Sequence, residues 1–199
     1  MKKKVFSTNP SYISFIENAE IVDLIKDSDI VLFHGGEDVS PELYGENKHS
    51  FTHSNTQRDK TDIHLFKKAV ELNKLIIGVC RGSQLSCVMA GGKLVQHVNN
   101  HGLAGTHKMK TYDNKELDVT STHHQMMYPF DVPHKILGWS ENLSDVYFKN
   151  DINVYTDIKR EPEIVFFPEI KALGIQPHPE YMDKDCKFVK WINKLINSL

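Results

Sequence analysis

The sequence predicts an α/β fold: a three-layer sandwich around a mostly parallel central sheet, with a small strand-rich insertion. Two observations carry this. Strand-like and helix-like stretches alternate through the first half of the chain, and a denser set of short strands follows. Apolar runs such as Ile30-Val31-Leu32-Phe33 and Leu75-Ile76-Ile77 read as strands buried on both faces. At 199 residues the chain has ample length for a core, so residues 1–199 are read as one domain.

Val5-Phe6-Ser7 is a short first strand, and Asn9-Pro10-Ser11 starts a helix through Phe15 and Ile16. Ile30 to Phe33 is a buried strand that delivers His34-Gly35-Gly36-Glu37-Asp38 at its C-terminal end, where α/β proteins place their sites. Residues 45–57 are polar and read as a surface loop. Ile63, Phe66 and Val70 recur at helical spacing, which predicts an amphipathic helix over 59–72. A strand from Leu75 and a helix over 84–90 come next, then a Gly- and His-rich loop over 99–108. Residues 110–120 suggest a hairpin turning at Asp113-Asn114. Further strands are expected at 136–139, 146–148, 152–155, 164–167 and 173–176. A last helix over 183–198 carries Phe188, Trp191, Ile192, Leu195 and Ile196 on one stripe.

Hydrophobic residues make up 40% and charged residues 25%, which is ordinary for a globular protein. A net charge of −2 gives no reason to expect nucleic acid or an anionic membrane as partner. No apolar run approaches the ~20 residues that a membrane span needs. The basic start Met1-Lys2-Lys3-Lys4 leads into Ser7-Thr8-Asn9-Pro10 rather than an apolar stretch, so a cytoplasmic location is expected. Three cysteines without a C-x-x-C spacing agree with that.

The chemistry is expected at Gly78-Val79-Cys80-Arg81-Gly82-Ser83-Gln84. A strand breaking at Gly-x-Cys-x-Gly and passing into a helix is the thiol form of a nucleophile elbow. The glycines let strand and helix close on one residue. Cys80 then stands beside a helix N-terminus, whose partial positive charge favours thiolate and whose backbone N–H groups can receive an oxyanion. A packing cysteine needs no glycines on both sides; Cys87 reads as core and Cys186 as an incidental thiol. The base is expected in Gln176-Pro177-His178-Pro179-Glu180, at the end of a buried strand. His178 would share the Cys80 proton, and Glu180 would orient the imidazole.

These two stretches resemble the signatures of the class I glutamine amidotransferase superfamily. Gly35-Gly36-Glu37-Asp38-Val39-Ser40-Pro41-Glu42-Leu43-Tyr44-Gly45-Glu46 is similar to the loop of its γ-glutamyl hydrolase branch, a peptidase C26-like group that includes γ-glutamyl-γ-aminobutyrate hydrolases. Arg58-Asp59, Gly91-Gly92-Lys93-Leu94-Val95-Gln96 and Ser121-Thr122-His123-His124-Gln125 fit the same branch. The resemblance implies a flavodoxin-like sandwich and a cysteine-dependent hydrolase that cleaves the γ-glutamyl amide of a small compound through a γ-glutamyl thioester. It implies Cys80, His178 and Glu180 as catalytic residues and the N–H groups of Gly36 and Arg81 as the oxyanion hole. Gly35, Gln84, His123 and Gln125 would hold the γ-glutamyl group.

Arg58 and Asp59 read as a structural pair at a helix start. No metal or organic cofactor is expected: His178 and Glu180 have no third ligand at a recognisable spacing. His97, His101 and His107 lack a ligating pattern and are taken as solvated or substrate-adjacent. The expected partner is a small γ-glutamyl substrate. An alternative is a glutaminase subunit supplying ammonia to a separate synthase chain, and a third is a non-enzymatic binding subunit. Three departures from the branch stand out. The chain is short before Ile30, Asp62 stands where Glu is usual, and 139–142 and 163–168 replace the usual late hairpin. The leaving amine is left open among polyamine-derived, folate-type and nucleotide amides.

Overall fold

The computed structural model describes residues 2–102 and 105–199. In chain order its strands and helices are β1 (Lys3–Ser7), β2 (Ala19–Ile21), β3 (Ile30–Phe33), α1 (Thr56–Glu71), β4 (Leu75–Val79), α2 (Arg81–Met89), β5 (Lys93–Val95), β6 (His97–Val98), β7 (Thr106–Thr111), β8 (Glu116–Thr120), β9 (Met126–Tyr128), β10 (Lys135–Ser140), β11 (Tyr147–Phe148), β12 (Glu161–Phe167), β13 (Ala172–Ile175) and α3 (Lys187–Ser198). Nine strands form one sheet in the order β2-β1-β3-β4-β13-β12-β10-β7-β8. It is parallel from β2 to β13 and antiparallel from β13 to β8. Two small antiparallel pairs, β5 with β9 and β6 with β11, account for the strand-rich insertion.

Alternation along the central strands builds the three layers. Ile30 and Leu32 of β3, and Leu75, Ile77 and Val79 of β4, join the core cluster that contains Phe188, Trp191, Ile192 and Ile196 of α3. Val31, Phe33 and Ile76 point the other way, into the cluster with Phe66 and Ala69 of α1 and Leu85 and Cys87 of α2. A strand covered on both faces must be apolar at every position, which is why these runs do not alternate in the sequence. β4 and β13 lie side by side in the middle of the sheet, with Gly78 opposite Gly174 and Val79 opposite Ile175. The residues after both strands therefore emerge at one edge, and these are Cys80 and the segment leading to His178.

Several boundaries differ from the sequence expectations for local reasons. Residues 10–15 form a 3-10 helix rather than an α-helix, started by the Asn9 side chain accepting from Ser11 N–H. α2 begins directly at Arg81, and α3 begins only at Lys187. Before α3, the Asp183 carboxylate accepts from Asp185 N–H at 2.8 Å, and this local turn competes with helix. The expected strand over 152–155 does not form. The Asn150 side chain accepts from the N–H groups of Ile152 and Asn153, so the chain turns there, and a single bridge from Val154 to Phe148 is all that pairs. The hairpin at Asp113-Asn114 is present, with Asn114 at φ 60. β7 starts at Thr106, inside the stretch expected as loop; Leu103 and Ala104 of that stretch lie outside the described residues.

Candidate active site

The turn after β4 shows why the elbow needs its glycines. A Cβ on Gly78 would sit 2.2 Å from the carbonyl oxygen of Gly82, and a Cβ on Gly82 would sit 2.1 Å from that of Phe33. Neither position admits a side chain. Between them Cys80 takes φ 51 and ψ −105, a conformation that L-residues rarely adopt. The strain is held from both sides: Cys80 N–H donates to Ile175 O at 2.8 Å, and Cys80 O accepts from Ser83 N–H and the Ser83 hydroxyl. Cys80 is 9% exposed and faces the cleft between β4, β13 and the loop after β3.

His178 follows β13. Its N–H donates to Thr120 Oγ1 at 2.7 Å, and its Nδ1 lies 2.6 Å from Glu180 Oε1. The Tyr181 ring stacks on it at 4.7 Å. Burial works against a charged ring, but the Cys80 sulfur and the Glu180 carboxylate outweigh it and push the His178 pKa up to about 10.

The loop after β3 closes over the same place. A Cβ on Gly35 would meet His178 Cε1 at 2.8 Å, so the loop backbone lies directly against the imidazole. Arg58 of α1 holds this loop. Its Nη2 donates to the carbonyls of His34 at 3.0 Å and Gly35 at 2.8 Å, and its Nη1 reaches Glu37 Oε2 at 2.9 Å. With the Gly35 carbonyl turned to Arg58, a trans peptide aims the Gly36 N–H to the opposite side. Gly36 has φ 139 and its missing Cβ leaves room for the Arg58 guanidinium, which a side chain would meet at 2.0 Å. The Arg81 side chain is buried between Asp59 Oδ1 at 2.6 Å and Asp62 Oδ2 at 2.5 Å. Its backbone N–H lies in the first turn of α2, where no intrahelical acceptor exists.

A cleft of about 170 Å³ opens beside Cys80, lined among others by Gly36, Asp38, Gln84, His124 and Gln125. It suits a small polar ligand rather than the larger groups that pockets of ~300–1,000 Å³ accept. The Gln84 amide donates to Gln125 O at 3.1 Å, and Gln125 Nε2 to Thr52 Oγ1 at 3.0 Å. Gly36, Cys80, Gln84, His123 and Gln125 thus line one cleft, and Gly35 and His178 adjoin it at Cys80.

The sequence profile of the peptidase C26 family matches residues 7–127. The chain belongs to the peptidase C26 family. The match includes Gly35, Gly36 and Cys80 and stops before His178 and Glu180. This C26 chain is 29% identical to protein NtpR of Enterococcus hirae over 176 residues, covering 85% of this chain and 68% of NtpR. It is 44% identical over 72 residues to the glutamine amidotransferase-like protein YvdE homolog of Lactococcus lactis subsp. cremoris, covering 36% of this chain and 38% of that relative. Among solved structures, a glutamine amidotransferase from Thermotoga maritima superposes with a TM-score of 0.57 at 15% identity, over 100% of this chain and 94% of the other. That likeness establishes the class I glutamine amidotransferase fold, and the family is of the hydrolase type. No helix among the described residues is long and apolar enough to cross a membrane.

Two features of the C26 site escape sequence reading. Arg58 is more than a helix-start residue, since it carries the glycine loop; its partners lie over twenty positions away in sequence. Of His101 and His107, expected to be solvated or substrate-adjacent, His101 is fully buried and His107 half-buried. They pack with His123 around Glu163, a carboxylate on β12 with 0% exposure. Glu163 Oε1 lies 2.8 Å from His107 Nε2 and 3.6 Å from His101 Nδ1, and Glu163 Oε2 lies 3.8 Å from His123 Nε2. His123, expected on the substrate side, lines the cleft with Cys80 and Gln84, and its Nε2 also faces this cluster; its neighbour His124 is the more exposed of the two, 3.2 Å from Asp38. His97 sits apart, stacked on His49 at 5.5 Å.

Proposed function

We propose that this protein is a cysteine-dependent hydrolase that cleaves the γ-glutamyl amide of a small compound, giving glutamate and a free amine. The observation that carries this reading is the strained Cys80, facing a His178–Glu180 pair across a glycine loop whose carbonyl is pinned outward by Arg58. The Cys80 thiolate adds to the γ-carbonyl carbon. The resulting oxyanion is received by the N–H groups of Gly36 and Arg81, each donor of this kind contributing about 3–4 kcal/mol to barrier lowering. Protonated His178 gives its proton to the departing amine as the carbon–nitrogen bond breaks, leaving a γ-glutamyl thioester on Cys80. Neutral His178 then takes a proton from water, whose oxygen adds to the thioester carbon. Glutamate leaves and the thiolate–imidazolium pair returns.

The polar cleft supports a γ-glutamyl group in particular. Asp38 offers a carboxylate to its α-amino group, and Gln84 and Gln125 offer amides to its α-carboxylate, groups whose burial would otherwise be costly. The loop geometry supports activity without a second chain, since Arg58 already orients the Gly35–Gly36 peptide. The test is glutamate release from glutamine, γ-glutamyl-γ-aminobutyrate, a poly-γ-glutamate and a polyamine-derived γ-glutamyl amide, with Cys80→Ala alongside and mass spectrometry for a Cys80 acyl adduct. Release from one γ-glutamyl amide well above glutamine, lost in the variant, supports the proposal. Release from glutamine alone, rising with an added synthase, would replace it with an ammonia-supplying subunit.

A further inference from the structure

We propose that His101 Nδ1, His123 Nε2 and Glu163 Oε2 form a buried binding site for a divalent transition-metal ion of the zinc type. Each of the three residues offers one ligand atom, these atoms lie within 4.8 Å of one another, and all three residues are buried. In a tetrahedral site with bonds of about 2.0–2.1 Å, ligand atoms stand roughly 3.3 Å apart. The 3.8 Å between His123 Nε2 and Glu163 Oε2 is close to that.

All three atoms are buried and have no hydrogen-bond partner. His123 Nδ1 lies 2.8 Å from Gln125 O, so it carries the proton and Nε2 is bare. Glu163 Oε1 accepts from His107 Nε2 at 2.8 Å and from the Ser140 hydroxyl at 3.0 Å, whereas Oε2 has no donor. His101 Nε2 lies 3.4 Å from Glu161 Oε2 and its Nδ1 3.6 Å from Glu163 Oε1, and neither ring nitrogen has a hydrogen-bond partner in the structure. Glu161 in turn accepts from Ser144 N–H at 2.8 Å and the Tyr147 hydroxyl at 2.9 Å. His123 has the support that metal-ligating histidines ordinarily have, its other N–H given to a carbonyl, and the Glu161 carboxylate stands nearest to the corresponding nitrogen of His101. Bare lone pairs packed together away from water are costly unless a cation lies between them. The charges agree: two carboxylates, Glu161 and Glu163, balance one divalent ion with neutral imidazoles. Two imidazole nitrogens and one carboxylate oxygen suit zinc-type ions better than magnesium or calcium, which take oxygen ligands.

Closed on all sides, the site would pin three segments: the stretch after β6, β12, and the Ser121–Gln125 segment. The last of these carries the carbonyl that anchors Gln84 beside Cys80. The ion would thus brace one wall of the cleft without touching substrate.

The test uses the full chain, stripped with a chelator and titrated with Zn²⁺ by calorimetry, and with Co²⁺ by visible absorption. Expected are one ion per chain, a rise of several degrees in melting temperature on Zn²⁺ addition, and Co²⁺ bands of a nitrogen–oxygen site without a thiolate charge-transfer band. Glu163→Gln and His101→Asn should each weaken Zn²⁺ binding by at least tenfold. No stoichiometric binding by the stripped native chain would overturn the proposal, and that arm does not depend on the variants folding. A thiolate band would also overturn it, by moving the ion to Cys80, as would undiminished binding in folded variants. None of these readouts depends on hydrolase activity.

Discussion

Replacing Cys80 by glycine should make the protein more stable than replacing it by alanine. At an ordinary position the order is the reverse, because glycine costs the unfolded chain more entropy, about 0.4–1 kcal/mol relative to alanine. Cys80 sits at φ 51 and ψ −105, where any Cβ is strained. Strain of this kind costs on the order of 1–3 kcal/mol, and alanine keeps it whereas glycine releases it. Subtracting the entropy term leaves glycine ahead by roughly 0.5–2 kcal/mol. Both variants lose the sulfur and its packing, so that loss cancels in the comparison. For a chain of this size about 2–4 °C accompanies each kcal/mol, which places the melting temperature of Cys80→Gly roughly 1–8 °C above that of Cys80→Ala. Thermal unfolding by circular dichroism, with urea titrations to check for an unchanged slope, measures this directly. If Cys80→Ala is the more stable of the two, the elbow is unstrained and the account of why Gly78 and Gly82 flank Cys80 loses its basis.

Other consequences are equally direct. Removing the Arg58 clamp with Arg58→Ala frees the Gly35–Gly36 peptide; kcat for γ-glutamyl hydrolysis should fall about 10- to 100-fold, below the 10²–10³ typical of deleting an oxyanion donor. KM should change much less, and an unchanged kcat in a folded variant would refute the role of the clamp. His178 has its folded pKa raised from 6.5 to about 10, so its charged form is fully present below 6.5 and is lost as pH rises through about 10. The contribution of the charged ring to stability is lost over the same window. The alkaline limb of kcat/KM should therefore lie near pH 10 and move down in Glu180→Gln; a limb near 6.5 in both proteins would contradict it. Gly82→Ala forces a Cβ to 2.1 Å from Phe33 O and should cost at least 3 kcal/mol or prevent folding, read from urea unfolding. Iodoacetamide should modify Cys80 at neutral pH and spare Cys87, whose thiol is pushed up by burial, as peptide mapping would show.

How much of this is legible in the sequence depends on how local each cause is. The elbow is legible because its cause lies within five residues: two glycines that cannot carry side chains and a cysteine between them. His178 and Glu180 are legible because they stand two residues apart just beyond a buried strand, although a short 3-10 turn over Pro179–Tyr181, not the strand, brings their side chains together. The apolar runs of β3, β4 and β13 mark themselves, and so does the stripe of α3. The antiparallel half of the sheet is read less well. There β10 and β7 meet over only two residue pairs, Gly138 with Thr111 and Trp139 with Lys110, and side-chain turns such as that of Asn150 override strand propensity. The histidines mislead for a related reason. His101 and His107 stand in a polar, glycine-containing stretch, and only the pairing of β7 and β12 through β10 brings them to Glu163.

The least legible feature ties the site together. Arg58, Asp59 and Asp62 occupy one face of α1, where ordinary helix reading makes them a solvated or capping set. In the fold, Asp59 and Asp62 grip the Arg81 guanidinium, Asp59 also accepts from Ser40 N–H at 3.2 Å, and Asp62 lies 3.4 Å from Arg58 Nε. Arg58 in turn holds the consecutive carbonyls of His34 and Gly35 that lead into the glycine loop. The two backbone donors proposed for the oxyanion, on Gly36 and on Arg81, belong to different strand–loop junctions, yet their residues are fastened to a single helix. Their separation is then set by the α1 side chains rather than by the loops, which are the parts of an α/β fold most free to move. Such buried charges contribute little net stability compared with apolar packing, but losing one partner strands the rest at a cost of about 3–5 kcal/mol. A network of that kind is poorly suited to holding the fold and well suited to holding a geometry. That is the demand a preorganised oxyanion site makes, and it explains why a helix with few apolar residues lies beside the elbow.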